Sequence, residues 1–132
     1  MNAQLLFLVW QRAASRCEYC QLPSQYSLTD FEIDHIVAEQ HGGLTRPGNL
    51  ALACFDCNRF KGSDIASIDA ITGELVALFN PRTQTWSEHF YLSGGQIVPF
   101  TPVGRVTEKL LKFNLPSRVE LRQRLVSLGL YA

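Results

Sequence analysis

Two Cys-x-x-Cys pairs, Cys17–Cys20 and Cys54–Cys57, constrain the fold of this chain more than any other feature. They contain all four cysteines of the sequence, and 33 residues separate one pair from the other. Two such turns supply four thiolates, a set that suits a tetrahedral zinc ion. The alternatives are two disulfides, which the lack of a secretory signal disfavours, or a redox pair, which would need only one motif. The pattern therefore favours a structural zinc site, closed to chemistry because no coordination position is open.

The length and composition predict one globular domain. The chain has 132 residues, of which 46% are apolar, enough to bury a hydrophobic core. The apolar run Leu5–Trp10 is too short to cross a bilayer, and no basic segment precedes it as in a signal peptide. We therefore expect a soluble, cytoplasmic protein that does not bind a membrane.

The charge is balanced overall but unevenly distributed. The formal net charge is zero, which argues against a nonspecific coat for nucleic acid. Residues 104–132, however, carry six basic and two acidic side chains. A basic segment of this kind is most often a solvated helix face, and the other interpretation is a contact with a polyanion through Arg118, Arg122 and Arg124.

Periodicity and turn residues predict a mixture of helices and short strands. The predicted elements are a helix over 3–15, strands over 31–35 and 50–54 that form a hairpin, a short helix from 56 or 58 to about 63, strands over 75–79, 85–92 and 96–100, and helices over 103–114 and 117–129.

The central segment resembles a known family. The run IDHIV, followed by GNL and then CFDCNRFKG, is similar to the HNH endonucleases. Their catalytic unit is a ββα-metal finger, and one branch carries a Cys-x-x-Cys knuckle before the hairpin and another at the start of the helix. The resemblance covers about residues 15–64. It implies an α+β fold with zinc knuckles, an N-terminal helix, an additional small antiparallel sheet or hairpin, and C-terminal helices. Residues 65–132 carry no motif and are expected to be a strand-plus-helix extension of a single domain, 1–132.

The resemblance also implies roles for four residues. His35 would be the general base that activates water, a task that suits an imidazole near neutral pH. Asn49 would hold the imidazole ring through its side-chain or main-chain oxygen. Asp34 and Asn58 would bind one hard divalent cation, Mg²⁺ or Mn²⁺, that stabilises the transition state and the leaving alkoxide. Asn58 stands where many relatives carry a second histidine.

Each of these residues also has an ordinary structural interpretation. Asp34 can cap a turn, His35 can be a satisfied core histidine, Asn49 can be a turn residue, and Asn58 can belong to a helix N-terminus. Moreover, neighbouring residues of a regular strand point to opposite faces. A site shared by Asp34 and His35 therefore requires the strand to end or distort between them.

The complete set of four residues favours a metal-dependent endonuclease that hydrolyses DNA phosphodiester bonds. Arg59 and Lys61 are candidate contacts with the phosphate backbone. The alternative is a zinc-stabilised nucleic-acid-binding module with an inactive nuclease site. A zinc-ribbon protein-interaction domain would explain the cysteines but not the oxygen ligands. Because the net charge is zero, we expect loose DNA binding by the domain alone, which favours a homodimer or a partner protein.

Overall fold

A computed structural model describes residues 1–131, which form four α-helices and six short strands. The helices are α1 (Ala3–Arg12), α2 (Phe55–Lys61), α3 (Pro102–Leu110) and α4 (Pro116–Ser127). The strands are β1 (Glu32–His35), β2 (Leu50–Ala53), β3 (Ala66–Ile68), β4 (Leu75–Ala77), β5 (Phe90–Ser93) and β6 (Gln96–Pro99). None of these helices has the length and apolar character needed to span a bilayer.

The ββα unit at the centre consists of β1, β2 and α2. The two strands pair antiparallel in a register that runs from Glu32↔Ala53 to His35↔Leu50. Helix α2 begins one residue after β2, because Cys54 caps it by accepting a hydrogen bond from the backbone N–H of Cys57 at 3.4 Å. One face of the hairpin packs through Leu50 and Leu52 on α1. The other face, with Ala51 and Ala53, packs on the cysteine knuckles.

Helix α1 is shorter than the sequence predicts, and a tight turn follows it. Ala14 and Ser15 both have φ near +55°, at 52° and 57°. This left-handed backbone ends the helix and redirects the chain into the first knuckle. There the backbone of Arg16 forms an isolated antiparallel β-bridge with that of Pro23. The knuckle therefore lies beside β2, and the backbone N–H of Glu18 donates to the Leu52 carbonyl at 2.8 Å.

The C-terminal part adds two hairpins and two helices to the same core. Strand β3 pairs with β4, and β5 pairs with β6, each antiparallel. The buried core cluster joins residues of both halves of the chain, including Tyr19, Phe79, Phe90 and Phe113. The indole N–H of Trp86 also donates to the backbone carbonyl of Tyr19 at 2.8 Å.

The predicted α+β class, with a ββα unit, an N-terminal helix, additional hairpins and C-terminal helices, is confirmed. Two details differ. Strand β3, a three-residue segment flanked by aspartates, was absent from the prediction because it is too short for a periodic pattern. The predicted strand over 85–92 begins as a 3-10 turn at Trp86–Glu88, and only its second half is strand β5.

Candidate functional site

The four cysteines form one compact, buried group. Their sulfur atoms lie within 4.8 Å of one another, and Cys20 Sγ is 3.7 Å from Cys54 Sγ. Four Zn–S bonds of about 2.3 Å would place tetrahedral sulfurs about 3.8 Å apart, so the group has the size that zinc requires. The knuckle turns also direct backbone N–H groups at the sulfurs, as from Cys20 to Cys17 Sγ at 3.4 Å. The cluster is therefore suited to a structural metal such as zinc.

Arg118 of α4 completes the surroundings of this cluster. Its Nη2 donates to Cys57 Sγ at 3.0 Å and lies 3.7 Å from Cys54 Sγ, and its Nη1 donates to the Leu111 carbonyl at 2.7 Å. A guanidinium that donates to thiolates offsets part of the negative charge of a four-sulfur site. The C-terminal helix is thus tied directly to the predicted metal site.

The interpretation of the basic C-terminal segment as a polyanion-binding surface is wrong for two of its arginines. Arg118 is 8% exposed and Arg122 is 2% exposed. Arg122 donates to the backbone carbonyls of Gly95 at 2.7 Å and Phe113 at 2.5 Å. The third of these arginines, Arg124, is on the surface, where it pairs with Glu120 at 2.6 Å.

Strand β1 stays regular through the Asp34–His35 pair. Asp34 lies opposite Ala51, on the knuckle side of the hairpin, whereas His35 lies opposite Leu50, whose side chain packs on α1. The distortion that a shared site requires is absent from residues 32–35, and the two side chains project to opposite faces.

The Asp34 carboxylate is buried and fully engaged. It is 4% exposed; Oδ2 accepts a hydrogen bond from the Tyr19 hydroxyl at 2.6 Å and lies 3.1 Å from Lys61 Nζ. Burial raises the pKa of Asp34, and the ammonium of Lys61, the Tyr19 hydroxyl and the nearby His35 ring act in the opposite direction.

Lys61 is a buried structural cation, so its predicted contact with DNA phosphate is not compatible with the structure. It is 2% exposed, and Nζ also donates to the backbone carbonyls of His35 and Ile36, each at 3.1 Å. The other predicted phosphate contact, Arg59, is exposed. Its guanidinium lies 4.5 Å from the centre of the Phe60 ring and 3.5 Å from Asp56.

His35 is half-buried, and a residue of the inter-strand loop holds its ring. Nε2 lies 2.8 Å from the hydroxyl oxygen of Thr45. The main chain at His35 is fixed as well, by the register with Leu50 and by the hydrogen bond from Lys61. Both the ring and the backbone of His35 are therefore held in place.

Asn49 fixes the loop rather than the His35 ring, which corrects the predicted contact. Its Oδ1 accepts from the backbone N–H of Val37 at 2.9 Å, and its Nδ2 donates to the carbonyls of Val37 at 2.9 Å and Leu44 at 3.0 Å. Its main-chain oxygen accepts from the Ile36 N–H. The loop closes so tightly that a Cβ at Gly43 would be 1.7 Å from the Val37 carbonyl oxygen. Asn49 therefore acts on His35 through the loop that carries Thr45 and through the main chain of Ile36.

Asn58 is half-buried in the first turns of α2. Its backbone N–H donates to the Cys54 carbonyl, and its own carbonyl accepts from the N–H of Gly62, each at 3.0 Å. Within residues 1–131 its side chain makes no hydrogen bond, so its amide oxygen is open to a ligand.

Lys61 occupies the place beside Asp34 that a hard divalent cation would need. In the described part of the chain, the cysteine cluster is the only grouping of three or more His, Cys, Asp or Glu side chains that could hold a metal. A cation at Asp34 would have to displace the Lys61 ammonium, because a carboxylate this buried cannot gain a second cationic neighbour without repulsion between them. A Mg²⁺ or Mn²⁺ ion at Asp34 would therefore compete with Lys61 for the carboxylate.

The sequence did not predict the contacts that three residues make in this region. Tyr19 lies between the cysteines of a knuckle, Thr45 lies in a turn-rich loop, and Arg118 lies in a basic helix. A signal was present only for Arg118: with Arg122 and Leu125 it follows the three-and-four spacing of one helix face, and all three are buried.

Comparison with known families supports the resemblance. A family model described as HNH endonuclease matches residues 17–64, the segment that contains both knuckles, the hairpin and α2. The chain matches no curated protein and no solved structure. The family is one of nucleases, and the matched segment contains every residue predicted for the site. Residues 17–64 therefore match the HNH endonuclease family model, and the match does not extend to residues 65–132.

Proposed function

We propose that the chain is an endonuclease that hydrolyses phosphodiester bonds of DNA, with His35 as the general base. The observation that carries the proposal is the fixed, half-exposed imidazole of His35 within the HNH domain. When Nε2–H donates to Thr45, the ring's other nitrogen, Nδ1, carries the lone pair that can take a proton from water.

The surrounding residues support this role by positioning the ring. Thr45 orients the imidazole, and Asn49 fixes the neighbouring carbonyl of Leu44, which holds Thr45 in place. Lys61 fixes the backbone carbonyl of His35 from the opposite side of the hairpin. In this proposal Asn49 and Lys61 are positioning residues, since neither touches the ring.

Asp34 and Asn58 remain the proposed oxygen ligands for Mg²⁺ or Mn²⁺, the cations that such ligands select. Because Lys61 already neutralises Asp34, cation and ammonium compete for one carboxylate. Dependence of cleavage on Mg²⁺ or Mn²⁺ is therefore a separate question from the role of His35.

Nicking of supercoiled plasmid tests the proposal. His35→Ala should reduce the cleavage rate by about 10²- to 10⁴-fold, the usual contribution of a general base. His41→Ala is the matched control, because His41 lies in the inter-strand loop and, within residues 1–131, its ring hydrogen-bonds to the Ser63 carbonyl, at 3.1 Å. Zinc content and circular dichroism should be unchanged in both variants. Cleavage by His35→Ala at the wild-type rate would remove His35 from the mechanism.

The neutralised Asp34 favours a second candidate, a nucleic-acid-binding module with an inactive nuclease site. In such a module, the Lys61 ammonium would stay at the Asp34 carboxylate, where an active nuclease would bind its catalytic cation. This candidate predicts DNA binding by the wild-type protein without cleavage at any concentration of Mg²⁺ or Mn²⁺.

A further inference from the structure

A polar cleft lies at the outer edge of β2, between the end of α1, the first knuckle and the segment 79–86. It has a volume of about 190 Å³, and its polar lining includes Arg12, Arg16, Glu18 and Gln84. At about 30 Å³ for each water molecule, it has room for about six waters, and therefore for a tetrahedral oxyanion.

The cleft has an excess of positive charge. Arg12 and Arg16 line it, and Arg82 reaches it through an ion pair with Glu18. Glu18 is the one acidic residue of the group, and its other oxygen accepts from the backbone N–H of Leu52 at 2.9 Å. Neither Arg12 nor Arg16 has an ion-pair partner among residues 1–131. Three cations therefore share one carboxylate.

Two of these guanidinium groups have buried N–H groups without a partner. Within the described chain, Arg12 Nε and Arg82 Nη1 are shielded from solvent and make no hydrogen bond. Burial, together with the charge of Arg12, lowers the pKa of Arg82 to about 10. An unpartnered buried donor on a charged group is destabilising. An anion in the cleft would neutralise the excess charge of Arg12 and Arg16, which line it.

We propose that this cleft binds a phosphate group of the nucleic-acid backbone. Guanidinium groups match the geometry of phosphate oxygens through paired N–H donors. The position agrees with the proposed function, on which this inference rests: Arg12 donates to the Leu50 carbonyl, and Leu50 lies directly opposite His35 in the hairpin. The cleft is therefore one strand away from the proposed general base, where a DNA strand at His35 would place a neighbouring phosphate.

The salt dependence of DNA binding tests the inference. In fluorescence anisotropy on a duplex oligonucleotide without divalent cations, the logarithm of affinity falls with the logarithm of salt by about 0.9 for each phosphate contact. The double variant Arg12→Gln/Arg16→Gln should bind more weakly and reduce this slope by about one to two. Arg124→Gln, which removes one exposed positive charge from α4, should leave the slope unchanged.

Additional variants separate charge from folding. Arg12→Lys keeps the cation and should largely keep the slope. Arg16→Gln alone removes a side chain whose hydrogen bond is a single contact with the Gln21 carbonyl at 3.2 Å, and it should lower the slope by about one. Zinc content and melting temperature verify that each variant is folded.

Calorimetry with inorganic phosphate distinguishes the two sources of the anion. A reduced slope supports the backbone phosphate, whether or not inorganic phosphate also binds. Phosphate binding lost in the double variant, with an unchanged slope, would overturn the inference in favour of a small-anion site. An unchanged slope without phosphate binding would overturn it altogether. The plasmid assay on His35→Ala is independent of this result. If His35→Ala cleaves at the wild-type rate, a reduced slope in the arginine variants would still support phosphate binding in the cleft.

Discussion

The adjacent residues Asp34 and His35 have separate environments because β1 is regular. Asp34 is buried against Tyr19 and Lys61, whereas the His35 ring is half-exposed and contacts Thr45. One backbone step thus separates a buried ion pair from an accessible imidazole. The ion pair connects the two, because Lys61 also binds the His35 carbonyl.

Lys61→Met should destabilise the protein by about 3 to 5 kcal/mol, because it leaves a buried carboxylate without its cation. The double variant Asp34→Asn/Lys61→Met removes both charges and should recover much of this loss. Urea unfolding of the wild type, both single variants and the double variant measures the coupling. Additive effects of the two substitutions would show that the pair is not a stabilising unit.

At the scale of single residues, sequence reasoning predicted the cysteine cluster and missed the partners of Asp34. The Cys-x-x-Cys spacing alone indicates that four sulfurs converge. Tyr19 and Lys61, by contrast, are 15 and 27 positions from Asp34, and no local pattern joins them. Because a lysine is rarely buried, the sequence placed Lys61 on the surface.

Among the elements, α4 has the most unexpected role. It presents Arg118 to the thiolates of Cys54 and Cys57 and Arg122 to backbone carbonyls. The helix therefore serves as a cover for the cysteine cluster.

Arg118→Met should weaken zinc binding by about 10- to 100-fold, as is usual when a hydrogen bond to a metal ligand is lost. In the cobalt-substituted protein, loss of the N–H···S bonds should also shift the sulfur-to-cobalt charge-transfer band. Competition with a chromogenic chelator gives the affinity, and Arg124→Met on the same helix is the control. If both variants bind zinc with the wild-type affinity, Arg118 does not support the metal site.

At the level of elements, the sequence predicted the hairpin, the four helices and the last three strands because their periodicity or turn residues are clear. It failed at β3 and at Trp86–Glu88. Both segments are three residues long, and tertiary contacts determine their conformation: β3 pairs with β4, and the Trp86 indole bonds to Tyr19.

For the whole molecule, the main property is that the larger of its two core clusters is shared by residues 17–64 and the C-terminal extension. Cys57 and Tyr19 belong to the same buried cluster as Leu111 and Phe113. The segments before and after residue 64 are thus expected to unfold together.

Cys54→Ser should unfold the entire chain, because structural zinc contributes about 10 to 16 kcal/mol in small zinc domains, as much as a typical domain's total stability. Chelation of zinc from the wild type should have the same effect. Far-UV circular dichroism follows the helices, and Trp86 fluorescence follows the contact between the two halves. A folded Cys54→Ser protein without zinc would contradict the structural role of the metal.

The close approach of Gly43 to the Val37 carbonyl restricts how this protein can diversify. Exposed positions of the same loop can accept other side chains, and such substitutions would change which molecules the loop contacts. Position 43 admits only a hydrogen atom, and one methyl group there would force open the turn that carries Thr45. Variation in this loop is therefore confined to residues on either side of a position where no L-amino acid with a side chain fits.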